Sequence, residues 1–65
     1  MELYIVDKWF SEGDKVWVSI AGANGRGTVL RKQAHEVLVR VLGRKLPFQK
    51  HDGKRWSCTL TETAR

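Results

Sequence analysis

Apolar and polar residues alternate with a period of two through much of this chain, the spacing of strands rather than helices. Val16, Val18 and Ile20 share one face of Lys15–Ile20, and Lys15, Trp17 and Ser19 share the other. Val37, Val39 and Val41 repeat the pattern within Glu36–Leu42, with Leu38, Arg40 and Leu42 opposite them. Thr28–Leu30 is a shorter extended run between these two. β-branched residues concentrate in such runs because they pack well on a half-buried pleated surface. Two turn-like breaks, the glycine-rich Ala21–Gly27 and the polar Arg31–Glu36, separate the runs, which predicts a three-stranded antiparallel meander at the centre of the fold.

The flanking stretches add shorter strands. Leu3 and Ile5 alternate with Glu2, Tyr4 and Val6, which predicts a strand over Met1–Val6; the helical spacing of Leu3, Val6 and Phe10 is the competing reading. Trp9 and Phe10 then fall in a link that ends in the turn-forming Ser11-Glu12-Gly13-Asp14. Within Ala21–Gly27 the Asn24-Gly25 pair is the strongest hairpin signal, since both residues tolerate positive φ, and it places the first turn there. Gly43 ends the Glu36–Leu42 strand. Pro47 cannot donate to a ladder, so Leu46–Gln49 is expected to be at most an edge strand. Asp52-Gly53, within His51–Lys54, predicts a second hairpin turn. After it Trp56, Cys58 and Leu60 alternate with Ser57, Thr59 and Thr61, and Thr63-Ala64-Arg65 is expected to fray. Five or six short strands in 65 residues leave no room for a substantial helix. The expected fold is all-β, one domain spanning residues 1–65, with a sheet that closes into a small barrel to protect its edges.

Gly13-Asp14-x-Val16-x-Val18 followed by Gly22-x-x-Gly25-x-Gly27-x-Val29 resembles the KOW motif of ribosomal proteins and transcription elongation factors. That motif pairs a Gly-Asp-x-Val-x-Val strand with a glycine-rich turn and a second strand. The likeness covers Gly13–Leu30; its glycine turn is about a residue shorter, and Asn24 stands where the motif usually carries a basic residue. Val37–Gly43, Phe48 and Asp52-Gly53 are similar to the small SH3-like barrels encoded in many phage genomes, a group without one shared activity. Both likenesses imply a KOW- or tudor-like SH3-like barrel, and the alternation of the residues agrees: Val16, Val18, Ile20, Val29, Val37, Val39 and Val41 would fill one small barrel.

Charge narrows the function. Twelve Lys and Arg oppose seven Asp and Glu, for a net charge of +5. Through Asp14 the chain has four acids and one base; from Lys15 onward it has eleven bases and three acids. A body this basic attracts polyanions, nucleic acid first. One cysteine, Cys58, permits no intrachain disulfide and no four-thiolate zinc site, so a reducing, cytoplasmic compartment is expected. No apolar run approaches the length of a membrane span, and acidic Glu2 stands where a signal peptide would be basic.

No arrangement points to catalysis, a metal or a cofactor. His35 and His51 sit in polar, turn-like segments; neither they nor Glu36 and Asp52 have metal-ligand spacing. Cys58 reads as a small buried residue. The glycine-rich stretch lacks the Lys-Ser or Lys-Thr pair and following helix of a phosphate loop, so its expected role is positive φ in a tight turn.

The expected site is a nucleic-acid surface contacting DNA or RNA through phosphates, with little sequence reading. Arg44, Lys45, Lys50, Lys54 and Arg55 fall within twelve consecutive residues whose only acid is Asp52, and a hairpin near Asp52-Gly53 would gather them at one end of the barrel. Arg26 on the glycine stretch would join them. Trp17 and Arg40, on the outward face with Leu30, Leu38 and Leu42, would stack on a base or pair with a partner protein. The competing readings are a cover over this face, formed by Leu3, Ile5, Trp9 or Phe10, and a protein-binding adaptor, such as a phage-encoded regulator of a host protein, that uses the apolar face.

Overall fold

The computed structural model describes residues 1–50 and 55–60 of the chain. Six strands follow one another: β1 Glu2–Ile5, β2 Lys15–Ile20, β3 Ala23–Lys32, β4 Glu36–Val41, β5 Arg44–Lys50 and β6 Trp56–Thr59. Each pairs antiparallel with the next, and β6 pairs back with β1, so the sheet is a closed barrel. Its size and all-antiparallel topology are compatible with an SH3-like barrel. The N-terminal strand is integral to it: Leu3 lies between Ile20 of β2 and Cys58 of β6.

The valines face inward as their alternation predicts. Val16, Val18, Val29, Val37, Val39 and Val41 are buried with Leu3, Ile5, Phe10, Leu46, Phe48 and Trp56, and Ile20 packs partly buried against them. Removal of each such side chain from water contributes roughly 1.5–3 kcal/mol, which a chain this short needs throughout its core. Phe10 plugs one end and meets Trp56 edge-to-face at 6.4 Å. The Lys32 ammonium sits 4.7 Å over the other side of Phe10 and donates to its backbone carbonyl at 2.8 Å. The β1–β2 connection that holds Phe10 also carries the Ser11–Asp14 turn, which Gly13 (φ +90) makes possible and which bonds on to Val29 of β3.

The glycine-rich stretch folds differently from the expectation. The turn is Ala21-Gly22, both at positive φ (49° and 88°), and Ile20 pairs directly with Ala23. Asn24-Gly25 lies inside β3, which is ten residues long rather than three. The cause is steric. A Cβ on Gly27 would stand 2.8 Å from Val39 Cγ1, and one on Gly25 would stand 2.8 Å from Ile20 Cδ1. These two glycines let strands and core side chains approach; they do not turn the chain. The second break also contracts, because Arg31 and Lys32 belong to β3 and pair with Leu38 and Val37. A bulge at Leu30 shifts the register and bends β3, so that one strand serves both halves of the barrel.

Leu42 and Gly43 form a second two-residue turn, both at positive φ (58° and 69°). It sets Val41 opposite Arg44 and extends β5 well beyond the expected Leu46–Gln49. β5 is also no free edge: it pairs with β4 from Arg44 to Gln49 and with β6 at Gln49 and Lys50. Pro47 is tolerated because a two-residue turn is closed by a hydrogen-bonded pair, so alternation leaves Pro47 at a non-bonded position toward β4. Its missing donor faces β6, where pairing has ended. The expected Asp52-Gly53 turn, His51 and residues 61–65 lie outside the described residues.

Candidate nucleic-acid interface

Inward-facing pairs of the β2–β3 and β4–β5 hairpins are the hydrogen-bonded ones, by the turn argument above. Outward-facing pairs are therefore the closer, non-bonded kind. Trp17 opposes Arg26, and the guanidinium lies 4.4 Å over the indole. The backbone of Trp17 turns to the other side: its carbonyl accepts from Val6 N–H at 2.8 Å, and its N–H donates to Asp7 Oδ1 at 2.9 Å. Asp7 thus continues the β1–β2 ladder with its side chain.

One step along β2, a row crosses four strands: Lys15 pairs with Thr28, Thr28 with Arg40, and Arg40 with Lys45. Adjacent strands are roughly 4.8 Å apart, so the row spans about 14 Å. No acid occupies any of its positions. Arg40 and Lys45 face each other directly, a like-charged pair that weakens a sheet. Within roughly a Debye length their fields add.

The expected cluster of Arg44 to Arg55 does not gather at one end. Arg44 and Lys45 start β5, whereas Lys50 ends it, about 16 Å further along the strand. Lys45 joins the row. Arg44, opposite the buried Val41, points to the other face and reaches solvent at the barrel rim. Lys50 and Arg55 belong to a separate place: Lys50 stacks 5.6 Å over Trp56, and Arg55 lies 5.0 Å over Tyr4. Lys54 lies outside the described residues. Beside Lys50 and Arg55 a groove of ≈ 600 Å³ opens toward the β1–β2 connection, lined also by Tyr4, Val6, Lys8 and Trp9.

The outward face is not covered. Leu3, Ile5 and Phe10 enter the core, Trp17, Leu30 and Leu42 stay exposed, and Trp9 is 88% exposed. Two contributors escaped the sequence reading. Lys15 was legible in principle, being in phase with Trp17. Trp9 was not, because its outward direction follows from Phe10 entering the core. His35 is exposed in the β3–β4 turn, and among the described residues no three potential metal ligands come together. Cys58 is partly buried against the core, and burial pushes its thiol pKa up. No described helix is long and apolar enough to cross a membrane.

Comparison with protein-family models, with curated proteins and with solved structures finds no match. The likenesses to the KOW motif and to phage-encoded barrels therefore rest on the residues quoted for them.

Proposed function

We propose that this chain is a small nucleic-acid-binding module of the SH3-like barrel kind, holding the phosphate backbone on its outer sheet face with little sequence preference. The observation that carries this reading is the Arg40–Lys45 pair within the Lys15–Thr28–Arg40–Lys45 row. Like charges placed directly opposite each other cost stability, and local rules of this sort are broken most often where a ligand repays the cost. A line of phosphates supplies the missing counter-charge. The Arg26–Trp17 stack beside the row offers a planar cation to the same backbone. The row consists of cations and one hydroxyl on a sheet face, with no helix or ribbon among the described residues to enter a groove, which suits backbone contact rather than sequence readout. The module needs no cofactor or metal for this, and a cytoplasmic setting goes with its single free thiol.

A second reading keeps one specific observation. Leu30 is exposed and Leu38 half-buried on the same outer face, and Leu42 is exposed in the β4–β5 turn, which fits an adaptor docking on a protein, as a phage-encoded regulator of a host protein would. Gel shifts on duplex and single-stranded DNA and RNA separate the two. Four phosphate contacts would weaken binding by roughly 100-fold between about 50 and 200 mM salt. Binding that ignores the charges of the row but is lost with Trp17→Ala or Leu38→Ala transfers the function to a protein partner.

A further inference from the structure

Four described aromatic rings already carry a cation of the chain itself: Arg26 on Trp17, Lys32 on Phe10, Lys50 on Trp56 and Arg55 on Tyr4. Trp9 does not: among the described residues no cation is stacked on it, and the ring is 88% exposed. It borders the ≈ 600 Å³ groove whose charged lining, among the described residues, is Lys8, Lys50, Arg55 and a single acid, Asp7. Asp7 is engaged with the N–H of Trp17. A bare indole edged by three cations and one committed carboxylate suits a planar ligand with an anionic tail.

We propose that this groove is a base-stacking subsite for single-stranded nucleic acid, with one unpaired base on Trp9 and its flanking phosphates on Lys8, Lys50 and Arg55. The proposal rests on the nucleic-acid reading above and names the form of nucleic acid preferred. An aromatic face yields stacking energy only to a base that is not already stacked in a duplex. A methylated-lysine ligand is disfavoured, because the groove's own cations already occupy the Tyr4 and Trp56 faces and, among the described residues, outnumber the acids of its lining. The groove also connects to the basic row. Ser19 lines it, and Trp17 and Lys15 follow at alternate positions on the same outer face of β2, about 14 Å in all. One extended strand can lie from the Trp9 groove across Trp17 and Arg26 to Lys15, Arg40 and Lys45.

Fluorescence polarisation tests this with a labelled oligothymidylate, a labelled DNA duplex and heparin, a polyanion without bases. Wild type binds the oligothymidylate more tightly than the duplex. Trp9→Ala weakens oligothymidylate binding roughly 5- to 150-fold, the loss of one stack, and Trp9→Phe restores most of it. Duplex and heparin binding do not change. The indole is exposed, so the thermal midpoint of Trp9→Ala stays at the wild-type value, which checks the fold. Unchanged oligothymidylate affinity in Trp9→Ala, while Lys15→Ala with Arg40→Ala weakens it, overturns the subsite and leaves the phosphate-binding function standing. Equal losses on oligothymidylate, duplex and heparin also overturn it. Absence of binding to any nucleic acid in wild type removes the function and the subsite together.

Discussion

Arg40 and Lys45 are register partners across β4 and β5, two cations directly opposed on the outer face of the barrel. Their alignment is set by the Leu42-Gly43 turn, which pairs Val41 with Arg44 and hence the next outward residues with each other. If the pair is kept for a ligand, stability and binding respond to it in opposite directions. Lys45→Glu converts repulsion to attraction and raises stability by about 0.2–1 kcal/mol, at the low end because both groups are exposed. The same change weakens nucleic-acid binding. Urea denaturation and polarisation on one protein preparation read both, and a variant that loses stability while keeping affinity contradicts the assignment.

Gly27 is the more confined of the two glycines inside β3. A Cβ there would meet Val39 Cγ1 at 2.8 Å and Val18 Cγ2 at 3.3 Å, both fully buried neighbours. Gly27→Ala is expected to cost about 1–3 kcal/mol by overpacking, or roughly 4–8 °C of thermal midpoint per kcal/mol. Gly25→Ala is expected to cost less, because its clash is with the flexible end of Ile20, which is not fully buried. Equal effects of the two substitutions in thermal melts would show that the close approach at Gly27 is not what constrains it.

Leu42 is exposed and sits at φ +58, where a branched side chain clashes with the backbone. Asn tolerates that conformation, and Asn-Gly is the preferred pair for this turn. Leu42→Asn is therefore expected to stabilise the fold by about 1 kcal/mol in urea titration. A destabilised variant would mean that the Leu42 side chain makes contacts worth more than its backbone strain.

Much of the barrel was legible because period-two alternation reports burial directly, and each valine assigned inward in β2 and β4 is buried. The Ala21-Gly22 turn was not legible. Asn24-Gly25 carries the stronger local turn propensity, but the steric demand that keeps glycine at Gly25 and Gly27 comes from Ile20, Val18 and Val39 and exists only once the strands have paired. The basic residues were legible as charges and not as a site. Nearness in sequence suggested one cluster from Arg44 to Arg55, yet a strand sends its ends apart and its neighbours to opposite faces. What gathers Lys15, Arg40 and Lys45 is register, which three turns and the Leu30 bulge set and composition does not reveal.

Cys58 gives a test of the core on the β6 side. Burial raises its thiol pKa, so the folded protein holds less thiolate than the unfolded chain at mildly alkaline pH. The stability this contributes is complete below the ordinary thiol range and declines as pH rises through it, toward the raised folded value. Reaction with a disulfide reagent near pH 8 is expected to be slower in the native protein than in urea. Equal rates would place Cys58 outside the packed region.

The proposed function requires phosphates along the Lys15–Thr28–Arg40–Lys45 row. Its most direct test is the dependence of log affinity on log salt for duplex DNA, measured for wild type and for the combined Lys15→Ala, Arg40→Ala and Lys45→Ala variant. Each phosphate contact contributes about 0.9 to the slope, so the variant should be shallower by roughly two to three units and weaker on every sequence tried. A wild-type affinity indifferent to salt, or a variant with the wild-type slope, would contradict it.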